Sequence, residues 1–222
     1  MRKIYLQNGE YYGLTDMMTG KMTGMWSLNT SPSANPFCQK MQKNPKYICK
    51  SCYSRTSEAR WKGAGAAWAH NSAVLGSRRL GDSEVPDMTR FKVMPDIFRF
   101  SAHGDLMNET HYKNLILIAK ANPQVMFALW TKRAEIVRKV GNPRLTNMLH
   151  IYSTPVINKF RPIKPRGFDK VFTVYTRPFV RANGIEINCG ARECLTCRLC
   201  YTHNSIVWVN ELIKANGYKG GE

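Results

Sequence analysis

Seven cysteines fall into two groups of different size. The first group, called the cysteine trio below, has the spacing C-x10-C-x2-C and consists of Cys38, Cys49 and Cys52. The second, the cysteine quartet, has the spacing C-x4-C-x2-C-x2-C and consists of Cys189, Cys194, Cys197 and Cys200. Four thiolates complete a tetrahedral metal site, whereas three leave one position open, where a metal or cluster can do chemistry. The sequence therefore predicts one closed metal site and one reactive site.

The spacing leaves the identity of the metals open. Thiolates are soft ligands that suit both zinc and iron–sulfur clusters. The trio fits a 4Fe–4S cluster, or a zinc ion completed by a fourth ligand such as His70, His103 or His203. The quartet fits a structural zinc or an auxiliary cluster. Seven is an odd number and cytoplasmic thiols stay reduced, so metal ligation is favoured over disulfides.

The turn His103-Gly104-Asp105 follows a predicted strand and precedes a predicted helix. Turns of this kind often carry glycine and aspartate for backbone reasons alone, because glycine accepts positive φ and aspartate caps helices. The functional interpretation makes Asp105 a catalytic carboxylate that binds an amine or a ribose, or acts as a base or nucleophile. His103 would then add a hydrogen bond in the same site.

Basic residues follow two of the predicted strands, and Lys132, Arg133 and Arg177 are candidates for contact with phosphate or nucleic acid. The alternative is that they belong to solvated loops. Trp130 lies beside the first two, and it either belongs to the core or stacks on a base. No P-loop, H-E-x-x-H or G-x-S-x-G motif is present, so the kinase, zincin and serine-hydrolase classes lose support.

The elements that must position these residues alternate between strands, with a hydrophobic period of two residues, and helices, with a period of about 3.6 residues. Strands are predicted at 25–28, 97–101, 125–131, 148–153 and 170–175, and helices at 54–80, 108–122 and 134–140, with 29–50 as a loop. This order predicts an α/β fold with a mostly parallel sheet, a partial (βα) barrel, and a cysteine-rich C-terminal segment. The candidate residues all follow strand ends, so we expect them on one rim. We expect a lead-in at 1–24, the core at 25–182, and the four-cysteine segment and tail at 183–222.

The composition is strongly basic. The chain has 33 Lys and Arg against 15 Asp and Glu, a formal net charge of +18, which favours a nucleic-acid or nucleotide partner over a role in solubility alone. No apolar run is long enough for a transmembrane helix, and residues 1–6 lack the apolar stretch of a signal peptide. We therefore expect no membrane partner and a cytoplasmic location.

Four motifs in order resemble the phage gene product 88 family. They are CKSCY at 49–53, FRFSAHGDL at 98–106, WTKR at 130–133 and CLTCRLCY at 194–201, and the resemblance spans most of residues 25–202. It implies a phage or prophage protein, and the expected cytoplasmic location would then be the cytoplasm of the host cell.

A more distant resemblance is to radical SAM enzymes, which carry a three-cysteine loop after the first strand of a partial barrel. It implies that Cys38, Cys49 and Cys52 hold a 4Fe–4S cluster with S-adenosylmethionine on the fourth iron. It also implies that Gly104 and Asp105 contact the methionine amine.

Three functions follow as hypotheses. The first is an iron–sulfur, radical SAM-like enzyme that modifies a nucleotide or nucleic acid. The second is a base-exchange enzyme similar to tRNA-guanine transglycosylases, with Asp105 at the sugar carbon and structural zinc in the cysteine sites. The third is a non-catalytic, zinc-stapled module that binds nucleic acid or a host protein.

Overall fold

The computed structural model describes residues 2–6, 11–16, 18–91, 96–191 and 193–213. In this part of the chain eight strands form one sheet: β1 (Arg2–Tyr5), β2 (Tyr11–Thr15), β3 (Trp26–Leu28), β4 (Ile97–Phe100), β5 (Met126–Thr131), β6 (Met148–Ser153), β7 (Lys170–Tyr175) and β8 (Trp208–Leu212). The helices in the same ranges are α1 (Pro36–Gln42), α2 (Tyr53–Arg60), α3 (Lys62–Ser77), α4 (Glu109–Ala121), α5 (Ala134–Val140), α6 (Arg177–Asn183) and α7 (Cys194–Cys197).

The strands lie in the sheet in the same order as in the chain. β1, β2 and β3 pair antiparallel, and every neighbouring pair from β3 to β8 is parallel. The sheet is open, with β1 and β8 as its edges. The predicted α/β class and mostly parallel sheet are therefore confirmed.

The two faces of the sheet pack into two separate hydrophobic cores. Phe98 and Phe100 of β4 belong to a core shared with Leu115 of α4, whereas Ile97 belongs to a second core shared with Cys200 and Tyr201. Successive strand residues point to opposite faces, so these two cores lie on opposite sides of the sheet. We call the side of the second core the inner face. The four-cysteine segment thus covers the inner face, opposite α4.

Helix α4 shows why the local sequence predicted its element well. The side chain of Asn108 caps the helix by accepting a hydrogen bond from the backbone N–H of His111 at 2.9 Å. The i, i+3, i+4, i+7 spacing predicts one buried face, of which Tyr112, Leu115 and Ala119 are buried and Ile116 is partly buried. The helix ends at Asn122, which is buried and donates its side-chain amide to the carbonyls of Pro86 and Ile118.

Several predicted boundaries were wrong. The predicted loop 29–50 contains helix α1 and a 3₁₀ turn at Ile48–Ser51, and the predicted helix 54–80 is divided into α2 and α3 at Trp61. Trp61 has φ −107° and ψ 80°, outside the helical region, so the hydrogen-bond ladder stops there. Strand β8 and helix α6 were not predicted. The hairpin β1–β2, part of the predicted lead-in, continues the same sheet.

No helix in the described ranges is both long enough and apolar enough to cross a membrane.

Candidate metal centre

The turn after β4 fits closely against the chain that leaves β3. Thr30 N–H donates to the carbonyl of His103 at 3.3 Å, and His103 N–H donates to Asn29 Oδ1 at 2.9 Å. Gly104 has φ +79°, and a Cβ at this position would lie 2.4 Å from the carbonyl oxygen of Thr30. Only glycine satisfies both the backbone conformation and the contact. The turn therefore has a fixed position relative to the loop that carries the cysteine trio.

Two side chains tie the trio to this turn. Buried Asn35 caps α1 by accepting from Phe37 N–H at 3.0 Å, and its amide donates to the Asp105 carbonyl at 2.9 Å. Cys38 lies in α1, the helix that this cap begins. The hydroxyl of Tyr53, next to Cys52, donates to the Ala102 carbonyl at 2.5 Å. The first and last cysteines of the trio are thus held over the end of β4.

The three trio thiols lie in one region. Burial raises the pKa of Cys38, and Asp105, Cys49 and Cys52 add to the rise because all three are close enough to act on its charge. The three cysteines are free thiols and are partly buried. Across the described ranges, however, no three His, Cys, Asp or Glu side chains are close enough to hold a metal ion as they stand. The trio therefore converges without reaching the short spacing of a single-ion site.

Lys132 is the cation of this region. Its ammonium group is 3.3 Å from Ser153 Oγ. Burial lowers its pKa, but the nearby Cys49, Asp105 and Cys38 outweigh burial, and the net shift is upward. Lys132 therefore stays charged beside the trio, where it balances negative charge.

The carboxylate of Asp105 is buried, and both of its oxygens accept hydrogen bonds. Oδ1 accepts from the Thr131 hydroxyl at 2.5 Å and from Leu106 N–H at 2.8 Å, while Oδ2 accepts from Lys132 N–H at 3.2 Å. Burial raises the pKa of Asp105 although Lys132 and Thr131 oppose the rise. The side chain thus joins the end of β4 to the end of β5.

The other predicted phosphate contacts lie in different surroundings. Arg133 donates to the carbonyls of Leu106 and Met107 and lies over the ring of Phe37, so it braces the loops below the trio. Arg177 is exposed at the first position of α6. The contacts of these two side chains do not indicate a phosphate site.

The histidines proposed as a fourth zinc ligand have different partners. His70 stacks on Tyr11 and contacts its carbonyl at 2.9 Å, and His203 contacts the Thr146 carbonyl at 3.0 Å. His103 stacks on Trp68, and burial together with Arg99 lowers its pKa to about 4. Its Nδ1 is buried without a hydrogen-bond partner, so His103 is neutral and able to donate or accept one more bond.

The quartet forms a second region on the inner face. All four of its cysteines line one small cavity together with Lys21 and Tyr201. The Lys21 ammonium contacts Cys189 Sγ at 3.7 Å and pairs with Glu211 at 2.7 Å. The four thiols thus share one cavity, but among the described residues they too are not close enough to hold a metal ion as they stand.

Arg99 was not predicted from the sequence as a candidate site residue. It lies on β4 and points to the inner face, where its guanidinium stacks 4.3 Å over the ring of Trp130. A signal was present, because the alternation of residues 97–101 places a charged side chain on the same face as apolar Ile97.

A comparison with known protein families was informative. The profile of the gene product 88 family matches residues 5–213, almost the whole chain. The chain belongs to the gene product 88 family. This confirms the resemblance drawn from the four motifs, all of which lie within the range that the gene product 88 profile matches. A comparison with the curated proteins and another with the solved structures returned no match.

Proposed function

We propose that this gene product 88 protein is an iron–sulfur, radical SAM-like enzyme that modifies a nucleotide or nucleic acid. The observation that carries the proposal is the convergence of Cys38, Cys49 and Cys52 at the carboxyl ends of parallel strands, with Lys132 among them. Catalytic groups of parallel α/β folds concentrate at those strand ends.

The topology supports the proposal. Strands β3 to β8 are parallel and follow chain order, and α3, α4 and α5 lie on one side of the sheet, as right-handed crossovers require. The β7–β8 connection, which carries the quartet, packs on the other face. A sheet whose crossover helices lie mostly on one side curls around its other face. We infer that β3 to β8 form a partial (βα) barrel whose inner face holds the substrate.

The donor set fits a cluster better than a single zinc ion. The trio offers three soft sulfurs, and His70 and His203, two of the candidates for a fourth zinc ligand, have partners elsewhere. Three thiolates on a doubly positive cluster leave one net negative charge, which Lys132 offsets. Because a cluster spreads its irons over a larger volume than one ion, its cysteines need not be as close together as zinc ligands.

A bound 4Fe–4S cluster would leave one iron without a protein ligand and supply single-electron chemistry to S-adenosylmethionine. The protein's own part is positioning. Asn35 and Tyr53 hold two of the cysteines over β4, and Asp105 fixes the end of β5 so that Lys132 faces the trio. The net charge of +18 attracts a polyanionic substrate.

The contacts of Asp105 weigh against the base-exchange alternative. A nucleophile must be able to reach the substrate, whereas this carboxylate is buried and both of its oxygens accept hydrogen bonds within the chain. The positioning role uses all of these bonds.

The test is metal analysis of protein purified without oxygen. We expect brown protein that contains iron and acid-labile sulfide, and an electron paramagnetic resonance signal after reduction that changes when S-adenosylmethionine is added. A variant with Cys38, Cys49 and Cys52 changed to alanine should lose that change. The matched variant with Cys194 and Cys197 changed to alanine should keep it. Colourless protein loaded with zinc alone would refute the proposal and leave the two zinc-based functions.

A further inference from the structure

The inner face of the sheet has an open region between the two cysteine sites. Five of its side chains are only half-buried although they lie on or directly after strands β4 to β7, and we call them the inner trough: Arg99, Trp130, Lys132, Ser153 and Phe172. On the opposite face Phe98, Phe100 and Phe127 are fully buried. Central strands normally have both faces covered, so the remaining exposure shows that this part of the inner face is incompletely covered.

Arg99 carries a charge in this trough without an anion to match it. In the described part of the chain its guanidinium contacts Met22 Sδ at 3.1 Å and the Tyr201 hydroxyl at 3.4 Å, and it forms no ion pair. Its Nε is buried and has no hydrogen-bond partner. A guanidinium N–H that is buried without an acceptor is costly, so a ligand that supplies an acceptor there gains binding energy.

Trp130 presents a second unused donor beside it. The indole N–H is buried without an acceptor, and the Arg99 guanidinium lies over the same ring. Phe172 packs edge-on against that ring, so the indole is held by neighbours on two sides. Two unpaired N–H donors on adjacent strands thus meet in one trough, and the Lys132 ammonium lies in the same trough.

We propose that Arg99 and Trp130 form an oxyanion subsite that holds a phosphate or carboxylate group of the substrate. The proposal rests on the proposed function, because it assigns the charged group of that substrate to a place between the two cysteine sites. Guanidinium groups bind phosphate and carboxylate through paired N–H donors, and the indole N–H adds a directed third.

The experiment is a titration of the purified protein followed by the indole N–H signals in a nuclear magnetic resonance spectrum. The probes are inorganic phosphate, nucleoside 5′-monophosphates, the matching nucleosides, and nucleoside 5′-carboxylates. We expect the Trp130 signal, assigned with Trp130→Phe, to shift with the anionic probes and not with the nucleosides. Tighter binding of the monophosphate assigns the group to phosphate, and tighter binding of the carboxylate assigns it to carboxylate.

Arg99→Met should weaken the binding of the anionic probe by about tenfold or more, the value of a charge-assisted hydrogen bond. Arg138→Met removes the same charge from an exposed position on α5 and should leave binding unchanged. Wild-type protein whose Trp130 signal ignores every anionic probe would overturn the proposal, and this measurement does not depend on the folding of any variant.

The metal content of each variant separates the subsite from a second role for Arg99. The Tyr201 hydroxyl, which contacts Arg99, also hydrogen-bonds Cys194 of the quartet. Loss of quartet metal in Arg99→Met with unchanged anion binding would make Arg99 a counter-ion of the quartet and overturn the proposal. Normal iron content without anion binding would overturn the subsite and leave the proposed function standing.

Discussion

At the level of single residues, backbone constraints and chemistry meet in the turn after β4. Gly104 is required by its positive φ and by the carbonyl of Thr30, while Asp105 beside it fastens the end of β5. The backbone interpretation of this turn therefore holds for Gly104. The same contacts place the turn under the cysteine trio, so a residue needed for backbone reasons also determines where the thiols lie.

Gly104→Ala should destabilise the protein by roughly 2 kcal/mol or more, because alanine resists this φ and its methyl group would overlap Thr30. Urea denaturation followed by circular dichroism measures the change. Gly63→Ala is the matched control, since a Cβ there meets no atom within 4 Å, and its effect should stay within about 1 kcal/mol. Equal effects of the two substitutions would contradict this account of the turn.

At the level of elements, the short helix α1 determines the position of Cys38. Seven residues are too few for a helix to be stable alone, so α1 depends on its cap and on its contacts. Asn35 supplies both, because it caps the helix and donates to carbonyls of the β4 turn. The sequence predicted a loop here, since no hydrophobic periodicity reveals a helix that a single buried amide supports.

Asn35→Ala should cost about 1–3 kcal/mol of folding free energy, since it removes a cap and leaves buried carbonyls without a donor. We also expect less iron per chain, because Cys38 would lose its fixed position. Denaturation and iron assays measure the two effects. Asn183→Ala removes an exposed hydrogen bond from a side-chain amide to the Phe179 carbonyl in α6, and it should change neither the stability nor the iron content. Full iron content in Asn35→Ala would show that α1 does not need this anchor.

At the level of the whole molecule, the core on the side of α4 holds a histidine that must stay neutral. His111 of α4 is buried and accepts a hydrogen bond from Met107 N–H at Nδ1, and burial lowers its pKa to about 3. Protonation of this ring in the folded state would place a charge in the core and remove that acceptor. The stability of the fold therefore depends on pH through a residue that has no part in the proposed function.

Folding stability should decrease as pH falls from about 6.5 toward 3. In that window the unfolded chain binds a proton at His111 that the folded chain excludes, and each unit of pKa difference is worth about 1.4 kcal/mol. Urea denaturation at pH 7, 5.5 and 4.5 measures the loss. His111→Gln cannot take up the proton, so its stability should depend less on pH than that of the wild type. His203→Gln, an exposed substitution, should follow the wild type, and parallel curves for all three proteins would contradict the prediction.

Much of the fold could be predicted because the local hydrophobic pattern of the sequence determines many of its elements. The strands from β3 to β7 and helix α4 were located from hydrophobic periodicity, with errors of at most one residue at their ends. Helix α1 and strand β8 were not, because contacts distant in sequence stabilise them. Strand β8, for example, pairs with β7 along its whole length.

The sequence by itself determined the class of the fold, the family, and the division of seven thiols into three and four, since all of these depend on residue types and their spacing along the chain. Only the tertiary structure decided that Lys132 lies beside the trio, that both oxygens of Asp105 accept hydrogen bonds, and that Arg99 Nε is buried in the inner trough without an acceptor. The physical reason is that partners and burial depend on which strands become neighbours, and spacing along the chain does not contain that information.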